Sequence, residues 1–312
     1  LRSIELTYPH TFRLEELPET VCAIGFFDGV HEGHQKLIQT AVNKARENHM
    51  ESAVITFHPH PKTVLGKSSA PVKYITSLKA KQELFRKMDV DRLYIIKFDQ
   101  TFSQLAPQDF IDQFIIGLNI KHLVAGYDYS YGHKGKGNMS NIDEYARGAF
   151  TYTVIDQISK NGEKVSSTRI RDLLCTGNIE KANELLGRPF CLKGNVIHGE
   201  ERGREIGYPT ANLDVDSQLL LPKIGVYAVK VFYKNEEYEG MANIGTNPTF
   251  TEDARDVSVE VNIFDYNNDL YGEEIMIEWY KYMRPEEKYE SADALIRQMA
   301  QDEKNIRAYF EI

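Results

Sequence analysis

Gly25-Phe26-Phe27-Asp28-Gly29-Val30-His31-Glu32-Gly33-His34 joins a short apolar run at residues 21–26 to a segment of helical periodicity at 34–49. A strand that enters a helix through glycines is the opening of a βαβ unit. Gly25 and Gly29 let the backbone pass close to a ligand. His31 and His34 are three apart, so both can face one ligand at the helix N-terminus, where free N–H groups and positive potential favour phosphate. Two imidazoles there can donate hydrogen bonds to a polyphosphate as charge builds in a transition state. The pair could instead be plain surface residues, or join His58 and His60 around a metal. The glycine context between strand and helix favours a nucleotide, and α/β sheets bind ligands beyond the carboxyl ends of their strands.

The alternation continues outward from this stretch. Strand-like runs at 53–57, 92–98, 121–125 and 152–156 are separated by helical patterns at 77–88 and 107–118, and two short helices follow around 168–187. This order predicts parallel βαβ units in an open, Rossmann-like α/β sheet. The character changes at Gly187-Arg188-Pro189. Beyond it, strand patterns at 192–198, 225–233, 238–244, 257–264 and 275–282 are separated by turn clusters such as Asn267-Asn268-Asp269. They predict a compact antiparallel β-barrel, closed by a helix at 290–310 whose apolar stripe is Ala294, Leu295, Met299, Ile306 and Phe310. The boundary falls at 186–190, giving domains 1–187 and 188–312.

Composition agrees with two ordinary cores. The chain has 312 residues, 42% hydrophobic and 27% charged, and a net charge of −9. That charge gives no footprint for nucleic acid or an anionic membrane, although a local cluster of donors can bind phosphate regardless. Cys22, Cys175 and Cys191 are odd in number and form no metal pattern, so reduced thiols in a cytoplasmic protein are expected. No apolar stretch is long enough to span a bilayer, and Leu1-Arg2-Ser3-Ile4 is no secretory signal.

Three further segments of the first half bear on chemistry. Lys164-Val165-Ser166-Ser167-Thr168-Arg169-Ile170-Arg171 reads as a capped helix start with Thr168 and Arg169 in its first turn. Thr56-Phe57-His58-Pro59-His60-Pro61 follows the second strand, and Gly126-Tyr127-Asp128-Tyr129-Ser130-Tyr131-Gly132 the fourth. With the His31-Glu32-Gly33-His34 element they resemble the nucleotidyltransferase superfamily, and within it the adenylyltransferase module of bacterial bifunctional FAD synthetases. The family often has Phe where Tyr129 and Tyr131 stand here. The resemblance implies that Gly25, Phe26, Asp28, Gly29, His31, His34, Ser167, Thr168 and Arg169 bind ATP, and that His60 and Asp128 line the flavin side. His31, His34 and Arg169 would stabilise charge during transfer.

In the second half, Gly194-Asn195-Val196-Ile197-His198-Gly199-Glu200-Glu201-Arg202-Gly203-Arg204-Glu205-Ile206-Gly207-Tyr208-Pro209-Thr210-Ala211-Asn212-Leu213 contains a glycine loop that can approach phosphates. Thr210 and Asn212 are two apart and point to one face of an extended segment. A hydroxyl and an amide oxygen are hard ligands suited to Mg²⁺. The run is similar to the riboflavin kinase loop with its Pro-Thr-Ala-Asn motif. The resemblance implies ATP at Gly199, Gly203 and Gly207, Mg²⁺ at Thr210 and Asn212, and flavin near Asn243, Asn262 and Arg284. Asn262 stands where the family usually has His.

Along 257–264, the two-residue period puts Val257, Val259, Val261 and Ile263 on one face and Ser258, Glu260, Asn262 and Phe264 on the other. Glu260 is then either solvated on the outer face or, as the resemblance implies, the base for the ribityl hydroxyl. The expected activity is conversion of riboflavin to FMN and of FMN to FAD, with riboflavin, FMN and ATP as partners. A kinase with an inactive or differently specific first domain, and a non-catalytic flavin-binding regulator, stay open at this point.

Overall fold

The computed structural model describes residues 1–66, 72–199, 207–247 and 256–311. They form two compact units, Leu1–Ser167 and Thr168–Ile312.

In the first unit the elements run β1 (Arg2–Leu6), β2 (Thr20–Ile24), α1 (Glu32–Glu47), β3 (Glu51–His58), α2 (Pro61–Leu65), α3 (Leu78–Lys87), β4 (Arg92–Lys97), α4 (Gln100–Ser103), α5 (Pro107–Ile111), β5 (Ile120–Gly126), β6 (Ser130–Tyr131), β7 (Gly137–Asn138), α6 (Ile142–Ala146), β8 (Thr151–Ile155), β9 (Ser159–Lys160) and β10 (Glu163–Lys164). Six of the strands make one sheet in the order β1-β4-β3-β2-β5-β8, all parallel. The Rossmann-like expectation holds. β1 was not foreseen, because only Leu6 of its five residues is buried at this sheet edge and its apolar pattern is weak.

Apolar layers on both faces explain the near-continuous apolar runs. Cys22 and Ile24 pack with Phe57, Phe102 and Phe114 on one face. Val21 and Ala23 pack with Leu37, Ile38, Ala41 and Val42 of α1 on the other. From β2 the chain steps first to β3 and then to β4, and returns to the other side of β2 as β5. The order therefore reverses between β2 and β5, and the loops after these two strands open at a switch point, where such sheets bind ligands.

The second unit contains α7 (Ser167–Thr176, its first residue assigned to the first unit), α8 (Ile179–Leu186), β11 (Phe190–Ile197), β12 (Ala211–Val215), β13 (Gly225–Tyr233), β14 (Glu236–Asn247), β15 (Asp256–Ile263), β16 (Glu274–Arg284) and α9 (Ala292–Phe310). The six strands close into a barrel in the order β11-β12-β15-β14-β13-β16, antiparallel throughout. The expected barrel and closing helix are both present. The α8 residue Asn183 ties this helix to the barrel: its side chain donates to the Trp279 carbonyl (2.8 Å) and accepts from the Phe190 N–H (2.7 Å).

Candidate active sites

At the switch point, β2 ends beside β3 and β5, with Ile24 opposite both Ile55 and Ala125. The loop that leaves it is unusual backbone. Phe27 (φ 54), Gly29 (φ 85) and Val30 (φ 42) are all left-handed. A β-branched residue in that region is an outlier that surrounding structure must hold, as happens at functional sites. His31 caps α1: its Nδ1 accepts from the His34 N–H at 3.3 Å. That bond places the ring proton on Nε2, so the cap leaves His31 with one N–H donor of defined identity. The His31 and His34 rings stack with centroids 3.5 Å apart. Gly33 makes this possible, because a Cβ there would come within 3.1 Å of the His31 ring.

The other predicted residues of this half fall as follows. Phe26 starts the loop, and the space a Gly25 side chain would fill is taken by the Phe27 ring, 2.9 Å from an ideal Cβ. Asp28 is buried, and its carboxylate accepts from the N–H groups of Ile75 (3.0 Å) and Thr76 (3.2 Å). The Ser167 hydroxyl donates to the Asp28 carbonyl at 2.8 Å, bringing together motifs 139 residues apart. Thr168 and Arg169 follow in the first turn of α7. His60 packs edge-on against Phe26 with centroids 4.1 Å apart. Asp128 is exposed, 3.5 Å from Lys164 Nζ, a surface pair of small energetic weight. Among the described residues no group of three or more His, Cys, Asp or Glu could hold a metal ion.

In the second unit, register decides the site. Asn212 lies opposite Glu260, Glu260 opposite Asn243, Asn243 opposite Val226, and Val226 opposite Arg284. Directly opposed residues share a face of an antiparallel sheet. One row across the outside of the barrel therefore carries amide, carboxylate, amide, apolar side chain and guanidinium. On the inner face of β15 Val259, Val261 and Ile263 are buried as expected, but Val257, placed on the same face by the two-residue period, is 40% exposed at the start of the strand. The outer face is not simply solvated: Phe264 is buried against Val226, Ala228, Met241 and Ile306 of α9. Asn262 is buried too and donates from Nδ2 to the Pro209 carbonyl at 2.7 Å, which anchors the approach to Thr210 on β15.

Thr210 reaches Glu260, its hydroxyl 3.5 Å from Oε2. Thr210 also lines a small, open cleft, with Val196, Val261, Tyr266, Asn268, Asp269 and Leu270. It thus stands on a lip between the cleft and the outer row. A Cβ on Gly199 would lie 2.0 Å from the Asn212 amide nitrogen, so the glycine makes room for that amide. Gly207 has a left-handed φ of 83, a backbone conformation that favours glycine. Gly203, with the rest of 200–206, lies outside the described residues.

Comparison with known proteins resolves the two halves. Residues 14–169 match the FAD synthetase family model and residues 186–310 the riboflavin kinase model. A protein of Listeria monocytogenes described as bifunctional riboflavin kinase/FMN adenylyltransferase is 45% identical over 99% of this chain and 98% of its own. The chain belongs to the bifunctional riboflavin kinase/FMN adenylyltransferase family. Proteins so described from Bacillus subtilis (44% identical, 99% of this chain and 98% of theirs) and Escherichia coli K12 (35%, 95% and 95%) are similar along their whole lengths. A crystal structure described as a macrolide-efflux protein from Streptococcus pneumoniae superposes with a TM-score of 0.88 at 33% identity, over 98% of this chain and 99% of that one. Among the described residues no helix is long and apolar enough to cross a membrane.

Two residues, Lys81 and Asp302, were missed in the sequence, and a third, Glu286, was read only as part of the Arg284-Pro285-Glu286 stretch similar to the kinase family, without a partner. Lys81, on α3, is 2% exposed and bonded to the Phe26 carbonyl. Glu286 approaches Asn243 over Gly245, where a Cβ would meet Glu286 Oε1 at 2.6 Å and Asn243 Nδ2 at 3.0 Å. Asp302, on α9, is 2% exposed and grips Arg284 through Nε (2.9 Å) and Nη2 (2.8 Å). Burial opposes the Arg284 charge, but the Asp302 carboxylate outweighs it and holds the guanidinium above its ordinary range. A single Lys in a charged helix and a single Asp in another carry no periodic signal. Asp302→Asn leaves the guanidinium without its counter-charge, and breaking a buried pair from one side costs about 3 kcal/mol or more. Urea denaturation of the variant is expected to show the barrel transition at lower denaturant, and an unchanged midpoint would contradict that role.

Proposed function

We propose that this chain makes FAD from riboflavin in two ATP-dependent steps, with residues 188–312 phosphorylating riboflavin and residues 1–187 adenylylating the FMN. The observation that carries the first step is Thr210 on its lip, with the cleft on one side and Glu260 in its polar row on the other. The purine end of ATP is assigned to this cleft, and Gly199, Gly203 and Gly207 to its phosphates. The ribityl chain is assigned to the outer row, where Asn243, Asn262 and Arg284 shape the flavin side, Asn262 through its hold on Pro209.

Glu260 takes the proton of the terminal ribityl hydroxyl as that oxygen bonds to the γ-phosphorus. The bond from γ-phosphorus to the bridging oxygen breaks, and ADP leaves. Thr210 and Asn212 would hold Mg²⁺: hydroxyl and amide oxygens flank a carboxylate, with room for the amide secured by Gly199. When bound, the ion offsets phosphate charge.

For the second step the FMN phosphate oxygen attacks the α-phosphorus of ATP and pyrophosphate leaves. No side-chain nucleophile is needed, and the work is positioning and charge stabilisation. The stacked, capped pair His31 and His34 supports that assignment. Gly25, Phe26, Asp28 and Gly29 shape the loop, and Ser167, Thr168 and Arg169 are assigned to the phosphates of ATP. His60 and Asp128 are assigned to the flavin side.

Chromatography of products from riboflavin, ATP and Mg²⁺ tests both steps. FMN should appear first and FAD after it. FMN alone would confine the activity to the kinase, and neither product would overturn the proposal.

A further inference from the structure

Lysine is rarely fully buried, and Lys81 of α3 is 2% exposed. Its ammonium donates to the Phe26 carbonyl at 2.8 Å and lies 4.1 Å from the centroid of the Phe26 ring. One cation thus grips both the backbone and the side chain of a single residue. The same carbonyl accepts from the Thr56 hydroxyl at 3.0 Å. Phe26 is where β2 gives way to the left-handed backbone of Phe27, Gly29 and Val30 and then to the His31 cap. Its ring also packs edge-on against His60. Strained backbone persists only when its surroundings over-determine it. The downstream half of the loop is tied by Asp28 to Ile75 and Thr76 and by Ser167 to Asp28. Lys81 and Thr56 tie the upstream end.

Desolvating an ammonium costs several kcal/mol. If position 81 only filled space, an apolar side chain of the same length would serve at least as well. We infer that Lys81 is a positioning residue for adenylyl transfer, acting through Phe26 to set the approach of the loop that carries His31 and His34. This rests on the adenylyl-transfer reading of that loop. A loop misplaced by a fraction of an ångström loses transition-state contacts before it loses ground-state binding. The effect of removing Lys81 should therefore fall on kcat rather than on KM.

The test uses the full-length chain carrying Lys81→Met, Phe26→Leu and both, with FAD formation from FMN and ATP as readout. Riboflavin phosphorylation by the same chain serves as internal control. K81M is expected to lower kcat for FAD formation about tenfold or more, with KM for FMN and ATP within about threefold. Thermal unfolding and riboflavin phosphorylation should stay as in the wild type. Because Lys81 acts through Phe26, the double variant should be little worse than the poorer single one. A wild-type kcat in K81M, or additive losses in the double variant, overturns the inference. Should K81M melt the first unit, Lys81→Gln decides, since it keeps a polar donor at position 81 and removes the cation that grips Phe26. A drop in kcat of about tenfold at an unchanged melting temperature upholds the inference, and a rate within about threefold of wild type overturns it. A wild-type chain that forms no FAD at all sinks the adenylyl-transfer reading itself, an outcome distinct from an active K81M.

Discussion

Glu260→Gln is expected to fold, to bind flavin, and to lose riboflavin phosphorylation by roughly a hundred- to ten-thousand-fold, the usual worth of a positioned general base. The substitution keeps shape and removes only the proposed acceptor of the hydroxyl proton. Folding should survive because Glu260 is part-exposed and its strand is held by Val259 and Val261 in the barrel interior. Its neighbours argue for a site rather than a solvated surface. Asn212 and Asn243 flank it on the adjacent strands, and the Thr210 hydroxyl is 3.5 Å away. Synthesis of FAD from supplied FMN should continue, because the proposed chemistry of that step belongs to the His31 loop. Steady-state assays of both reactions on one preparation separate the two. Near-normal phosphorylation by E260Q would return Glu260 to the surface.

The second large effect is expected from His31→Ala with His34→Ala, which should suppress FAD formation while sparing riboflavin phosphorylation. Losing one transition-state donor costs a rate factor on the order of a hundred or more. The His31 change also removes the α1 cap, worth about 1 kcal/mol of helix stability. A modest loss in melting temperature of the first unit is therefore part of the prediction. His34→Ala alone keeps the cap, since the bond is made by the His34 backbone N–H. It should still lower FAD formation steeply, and that split separates donor loss from cap loss. Full FAD synthesis by the double variant would remove the pair from the reaction.

Much of this was legible in the chain. The period-two and period-3.6 patterns placed every strand of the first sheet except the edge strand β1, which buries only Leu6. They also placed five of the six barrel strands, with β12 read as the extended Thr210–Asn212 segment. The glycine-bounded motifs lie where both sites are proposed. Gly33 and Gly199 stand where the structure needs them, each clearing room for a neighbouring site side chain. The face of Glu260 was correct by alternation, but its surroundings were not deducible. Asn262 and Phe264 share its face and are buried, one by Pro209 and the other by α9.

The sequence by itself determined the kinds of element, their order, the change from an α/β sheet to an antiparallel barrel, and the motifs on which the two sites are proposed. These depend on local periodicity and on short motifs whose members are neighbours in the chain. Tertiary structure alone decided which distant residues meet. It brought Ser167 to Asp28, Lys81 beneath Phe26, Asp302 onto Arg284, and Asn212, Glu260 and Asn243 into one row. Strand register and helix docking are set by closing long loops around a shared core, and a one-residue slip of β15 would turn Glu260 inward. No local pattern encodes that choice, because its energy comes from packing between elements far apart in the chain.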